Sequence, residues 1–200
     1  MTKVLPLSAD SWNAGRVARG PRRRFALAAL MLGLALPARA RAAETALAAS
    51  VKAVYLYKFL DYVEWPPMAF AGADSPIVIG VAGSEEVFGE LRDILVGRTA
   101  QGRPLQARRV VEGEALDGLH LLYLGRQIGP AQEAWLARWR ERPILFVSDA
   151  PQGAGALGVI NFTLVRGRVR FEVSLPAAER AGLKLSSRML SVAERVIGAR

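Results

Sequence analysis

Four sets of residues in this sequence have types and spacing that could do chemistry. Gly153-Ala-Gly155-Ala-Leu-Gly158 fits G-x-G-x-x-G letter for letter. That fingerprint binds pyrophosphate when a strand turns into a helix and aims helix N–H groups at the anion. The segment that follows, Val159-Ile160-Asn161-Phe162-Thr163, reads as a strand, so the glycines are expected to form a loop between strands. Gly80-Val-Ala-Gly83-Ser84 stands between an apolar run and a helical pattern, but Glu85-Glu86 comes next. Two carboxylates there repel a phosphate and suit the positive end of a helix, so helix capping by Ser84 is the expectation. No cofactor is expected.

Ser148-Asp149 follows a buried-strand pattern, a place where α/β enzymes keep catalytic groups, and His120 is the single histidine. Together they would make a hydrolase set, but the nucleophile-elbow pattern G-x-S-x-G is absent. His120 opens an apolar run and reads as a structural residue. The chain has no HExxH pair and no cysteine, so neither spacing nor thiolates point to a metal, and no disulfide or cysteine nucleophile exists.

Arg166, Arg168 and Arg170 alternate with other residues, and Glu172 continues the series. A period of two puts Arg168, Arg170 and Glu172 on one face of a strand. Such a face is either solvated and neutralised by cross-strand charge pairs or a patch for an anionic ligand or a partner protein. Asn161 in the preceding strand and Arg188, which opens a terminal helix expected to lie near this face, complete the candidate binding set.

The elements that must position these residues follow from periodicity. Leu47, Val51, Val54, Tyr55 and Phe59 predict a helix over Glu44–Val63, stopped by Trp65-Pro66-Pro67. Apolar runs predict strands at Ile77–Ala82, His120–Leu124 and Ile144–Ser148, buried on both faces. Leu105–Val111 alternates as a half-exposed strand. Helices are expected over Glu85–Leu95 and Pro130–Arg140. A Gly-rich loop from Asp149 to Gly158 leads to a hairpin, Val159–Val165 and Arg168–Leu175, turning at Arg166-Gly167. A helical turn follows Pro176, and a last helix spans Ser187–Ile197. Alternation in the first half requires parallel crossovers and the hairpin is antiparallel. The expectation is an α/β fold: a mixed sheet of about six strands with helices on both faces.

The formal charge of +9 belongs to the N-terminus. Residues 1–42 hold eight Lys/Arg and one acid, Asp10; the rest hold 19 and 17, a net +2. A body so nearly balanced gives no basic face for nucleic acid. Arg22-Arg23-Arg24, an apolar run from Phe25 to Leu36, Pro37 and then Ala38-Arg39-Ala40-Arg41-Ala42 have the order of a secretory signal peptide. The run is too short for a bilayer, which takes about 20 apolar residues. Cleavage is expected after Ala40 or Ala42, leaving one domain over residues 43–200. Arg22-Arg23-Arg24-Phe25 also resembles a twin-arginine signal, although Pro21 stands where Ser or Thr is usual and Ala26 where Leu is; the Sec route fits the basic run equally.

Several segments together resemble the YfiR-like (HmsC-like) periplasmic family. They are Val51-Lys52-Ala53-Val54-Tyr55-Leu56-Tyr57-Lys58-Phe59 running on to Val63-Glu64-Trp65-Pro66, Ile77–Gly83, Gly102-Arg103-Pro104-Leu105, Ile144–Asp149, Val159–Phe162, Val169–Ser174 and Gly182–Leu190. The resemblance implies an α/β sandwich that dimerises and acts as a regulator rather than an enzyme. Its better-understood members restrain an inner-membrane diguanylate cyclase by binding its periplasmic sensor part, which lowers cyclic-di-GMP and biofilm formation. Leu119 stands before His120 where relatives often have Cys, and Ser174 and Lys58 where Asn is common. With no cysteine, disulfide-based redox control is excluded.

The sequence therefore points first to a periplasmic regulatory binding protein whose partner is an inner-membrane diguanylate cyclase or histidine kinase. A carrier of small ligands is the alternative, and a hydrolase using Ser148, Asp149 and His120 a weaker third. Export is directly testable. Mature protein should begin at Arg41 or Ala43 and appear in the periplasmic fraction, as N-terminal sequencing would show; full-length protein in the cytosol would refute it. Replacing Arg22 and Arg23 by Lys should abolish export on the twin-arginine route and leave Sec export intact.

Overall fold

Runs that lack a polar side cannot lie at the edge of a sheet, and this sets the middle of the molecule. The computed structural model describes residues 44–125, 130–149 and 158–198. The signal-like segment and the Gly153–Gly158 motif, apart from Gly158 itself, lie outside the described residues. In chain order the elements are α1 (44–59), β1 (Val63–Glu64), a 3-10 turn (Pro67–Ala69), β2 (Ile77–Ala82), α2 (Glu85–Leu95), β3 (Thr99–Ala100), β4 (Arg103–Arg109), β5 (Leu121–Leu124), α3 (Pro130–Ala137), β6 (Leu145–Ser148), β7 (Ile160–Val165), β8 (Arg168–Ser174), α4 (Leu175–Arg180), β9 (Lys184–Leu185), α5 (Ser187–Val192) and β10 (Arg195–Ile197).

The sheet has the order β10-β8-β7-β6-β5-β2-β4-β3. β2, β5 and β6 lie side by side and parallel at its centre, and β5 and β6 are buried along their whole length. β4 and β7 extend the parallel core on either side; β7–β8 is antiparallel and β10 joins β8 in parallel. β1 and β9 form a separate antiparallel ribbon. The α/β class is as expected, with eight strands in the main sheet rather than about six.

The extra strands hold two or three residues each, too few for a periodic signal. Two of them replace predicted helix. α1 stops at residue 59, where i→i−3 bonds such as Tyr62 N–H to Phe59 O (3.0 Å) tighten its last turn. Val63–Glu64 then runs extended beside Lys184–Leu185, and Pro66 bars the next residue, Trp65, from resuming the helix. At the other end α5 stops at Val192 rather than Ile197. The Glu194 N–H donates to Phe171 O (2.8 Å), and Arg195–Ile197 pairs with the otherwise open edge of β8. α3 likewise ends at Ala137, short of Arg140.

Two apolar layers cover the sheet. On one face α1 with the turn after it and α2 pack through Leu56, Phe59, Leu60, Phe88 and Leu91 onto Ile79, Tyr123, Val147, Phe162 and Phe171. On the other, Trp135 and Leu136 of α3 and the 110–119 segment pack onto Leu122, Leu124 and Phe146. Trp135 Nε1 donates to Glu114 O (2.8 Å) and ties helix to segment. Gly80 is bare for a reason: a Cβ there would come within 3.0 Å of Val110, Leu119 and Leu122 side-chain carbons.

The segment after α1 closes the sheet's end through one stack. Trp65 is buried and its Nε1 donates to His120 O (3.0 Å). Phe70 stacks on the His120 ring at 4.6 Å, and the Arg103 guanidinium sits 3.8 Å from the Phe70 centroid while donating to Gly72 O and Ser75 O. The His120 Nδ1 accepts from Val78 N–H (3.1 Å) and its Nε2 is buried without a hydrogen bond. Burial pushes the His120 pKa below its ordinary 6.5; nearby Arg103 adds to this, and the Ala69 carbonyl opposes it.

Two outcomes follow. Trp65→Ala should lower stability by about 3–5 kcal/mol, the usual cost of a buried aromatic truncated to Ala, read from urea unfolding; a loss under about 0.5 kcal/mol would place Trp65 outside the core. The His120 contribution has the sign of a buried neutral base. The unfolded chain takes up a proton near pH 6.5 and the folded chain only at lower pH. Stability supplied by His120 is therefore full above about pH 6.5 and falls as pH drops through the folded pKa. Subtracting a His120→Asn curve, in which the amide oxygen replaces the Nδ1 acceptor, from the wild-type stability–pH curve should leave this acid-side loss; a flat difference would contradict it.

Candidate functional site

The β7–β8 hairpin builds the site through strand alternation. Arg166 and Gly167 turn it with φ of 51° and 73°, both left-handed, as a two-residue I′ connection requires. Ile160, Phe162, Phe171 and Val173 then point into the core beneath α1. The residues between them must point the other way: Asn161, Thr163 and Val165 on β7, and Arg168, Arg170 and Glu172 on β8.

On that outward face Arg168 and Arg170 are exposed, while Asn161, Thr163, Val165 and Glu172 are half-buried. The apolar layer that includes α3 ends at β6, and none of its members comes from β7, β8 or β10. Cross-strand partners are Asn161 with Glu172, Thr163 with Arg170 and Val165 with Arg168, so β7 offers no acid to either arginine. The only carboxylate in the group, Glu172, is held from the other side by Arg195 at 2.8 Å. This bond also raises the Arg195 pKa above its ordinary value. Arg168 and Arg170 are exposed and make no ion pair among the described residues. Beside Arg170, the Thr163 Oγ1 is buried without a hydrogen-bond partner. The Asn161 Oδ1 is already used, accepting from Ser148 Oγ at 2.6 Å.

Four of the five sequence-derived site residues thus share this face: Asn161, Arg168, Arg170 and Glu172. Arg188 does not. α5 lies on the α1 side of the sheet, where Arg188 lines a groove with Phe171, whose ring points away from Arg170. Arg195 belongs to the face and was hidden in sequence because its strand reads as the end of a helix. Of the cross-strand charge pairs that a solvated face would carry, the described residues of this face show one, Glu172 with Arg195 on the neighbouring β10.

The catalytic arrangements fall apart on geometry. Ser148 lies alongside Leu124, four residues beyond His120 and so about 13 Å away along the strand. Ser148 donates to Asn161, and Asp149 is bound by Lys52 Nζ (2.6 Å) and Tyr123 Oη (3.3 Å). Ser148, Asp149 and His120 therefore form no triad. Lys52 was not legible as Asp149's partner, being one lysine in an apolar helix 97 residues away. At the end of β2, Ser84 Oγ accepts from Val87 N–H (3.3 Å), the capping expected. The crevice there is closed: Gly125 N–H donates to Ala82 O (2.8 Å), and a Cβ on Gly125 would strike the Gly83 carbonyl. Among the described residues no three His, Asp or Glu side chains stand close enough to hold a metal, and no helix is long and apolar enough to cross a membrane.

Comparison with curated proteins gave no match. The model of one protein family, described as YfiR/HmsC-like, matches residues 49–194, from the second turn of α1 to the residue before β10. That span holds the Trp65–His120–Arg103 stack and the β7–β8 hairpin, and the chain belongs to the YfiR/HmsC-like family.

Proposed function

We propose that this protein is an exported, non-catalytic regulator that restrains an inner-membrane diguanylate cyclase by binding its periplasmic sensor part through the outward face of β7 and β8. The observation that carries the reading is a pair of arginines on this face, Arg168 and Arg170, both exposed and without an ion pair among the described residues. An arginine that is already extended on a strand and unpaired gives its donors to a partner carboxylate without first breaking an internal bond. Interfaces concentrate their energy in few such residues. The family supports a regulatory role, and the signal-like segment over Arg22–Ala42 supports a periplasmic location. The homodimer implied by the family resemblance belongs to the same reading.

Deleting the gene should raise cyclic-di-GMP and surface attachment, and wild type should restore both. Arg170→Glu should fail to restore them and should weaken partner binding at least about tenfold, while stability changes by no more than about 0.5 kcal/mol, as for most surface substitutions. Unchanged cyclic-di-GMP in the deletion strain would refute cyclase restraint and leave a sensor kinase as the partner to test. Full complementation by Arg170→Glu would move the interface elsewhere.

A further inference from the structure

On the opposite side of β8 from Arg170, α1 and α5 stand apart over Phe171 and enclose a groove of about 600 Å³. Its floor is apolar and buried: Phe59, Phe171 and Met189. Its walls carry two charged side chains, Lys58 and Arg188, both cationic, and no carboxylate. Neither forms an ion pair among the described residues; the Lys58 ammonium has only the Tyr57 ring, 5.3 Å away. An apolar floor with convergent like charges on the walls is the pattern of a small-molecule site, and the volume lies within the usual range of about 300–1,000 Å³. We propose that this groove binds a free amphipathic monoanion, an alkyl-chain carboxylate, with its body on Phe59, Phe171 and Met189 and its carboxylate between Lys58 and Arg188.

Charge complementarity favours an anion: Lys58 and Arg188 are exposed at the groove and have no ion pair among the described residues, so a carboxylate docked between them gains charge-assisted hydrogen bonds that a neutral occupant cannot make. The short wall that α5 supplies favours a small molecule over a partner helix. α5 has six residues and is about 9 Å long, shorter than the roughly 10.5 Å between i and i+7 anchors of a docked helix. The site does not depend on the partner proposed above, since its cations and Arg170 lie on opposite faces of the sheet.

Titration calorimetry of the purified protein with dodecanoate tests it. One molecule should bind per chain with a Kd on the order of 10–100 μM, and dodecanol, with the same chain and no charge, should bind at least about tenfold more weakly. The double variant Lys58→Met, Arg188→Met should lose about tenfold in dodecanoate affinity. Val192→Trp, at an exposed position on the groove rim, should block binding without disturbing the core and serves if the double variant does not fold. No binding up to about 1 mM, equal binding of dodecanol, or unchanged affinity in both variants would each overturn the proposal. So would binding to phosphatidylglycerol vesicles that depends on Lys58 and Arg188 in a protein that ignores free dodecanoate.

Discussion

The contact on which the rest depends is that of α1 with the β7–β8 hairpin. Phe59 lies 5.0 Å from Phe171, edge to face, and 6.0 Å from Phe162; Tyr55 stacks on Phe59 at 5.8 Å and meets both strand aromatics. Each such pair adds about 0.5–1.5 kcal/mol beyond its buried area. The cluster therefore holds the hairpin in one register. A slip of one residue would bring Arg170 and Glu172 under the helix and turn Phe171 into water. Burying Phe162 and Phe171 thus places Asn161, Thr163, Arg170 and Glu172 on the far side without any further instruction. The groove and the outward face are two sides of the same strand.

The second constraint is at the other end of α1. A helix that ran on to Val63 would carry Trp65 past the sheet. The tightened turn at residues 60–62 and the prolines after Trp65 bring the indole down instead onto the His120 carbonyl, and Phe70 and Arg103 then close over the imidazole. Trp65 and His120 read as structural residues in the sequence, and the structure joins them through Phe70 to Arg103. Together they form a structural plug, and the imidazole is kept neutral by burial rather than poised for proton transfer.

Much of this was legible because it repeats with a period. The central strands, α2 with its Ser84 cap, the I′ hairpin and the Arg168, Arg170, Glu172 face all follow from spacing of 2 or 3.6 residues. What was not legible is of two kinds. β1, β3, β9 and β10 are too short to show a period; β10 exists because β8 needs an edge partner, a need visible only once the sheet is built. Lys52–Asp149 and Glu172–Arg195 depend on which elements meet, and no local pattern reports that. The placing of Arg188 failed for the same reason. Its helix is amphipathic in either position, and only the short turn after Val192 puts it on the α1 side.

α5 and β10 join the groove to the hairpin's outward face. Met189 lies in the groove floor; four residues on from Leu190, the Glu194 N–H binds the carbonyl of Phe171, and the next side chain, Arg195, holds Glu172. The path is covalent from Met189 to Arg195 and meets β8 twice, at Phe171 and at Glu172. A ligand between α1 and α5 gains influence over Glu172 only through a difference in its affinity for two positions of α5. Equal affinity would fill the groove and leave the outward face unchanged, however tight the binding. The short link of Ala193 and Glu194 makes such a difference physically available. α5 cannot move far without straining either the Glu194–Phe171 hydrogen bond or the pairing of β10 with β8, and Arg195 stands at the start of that pairing.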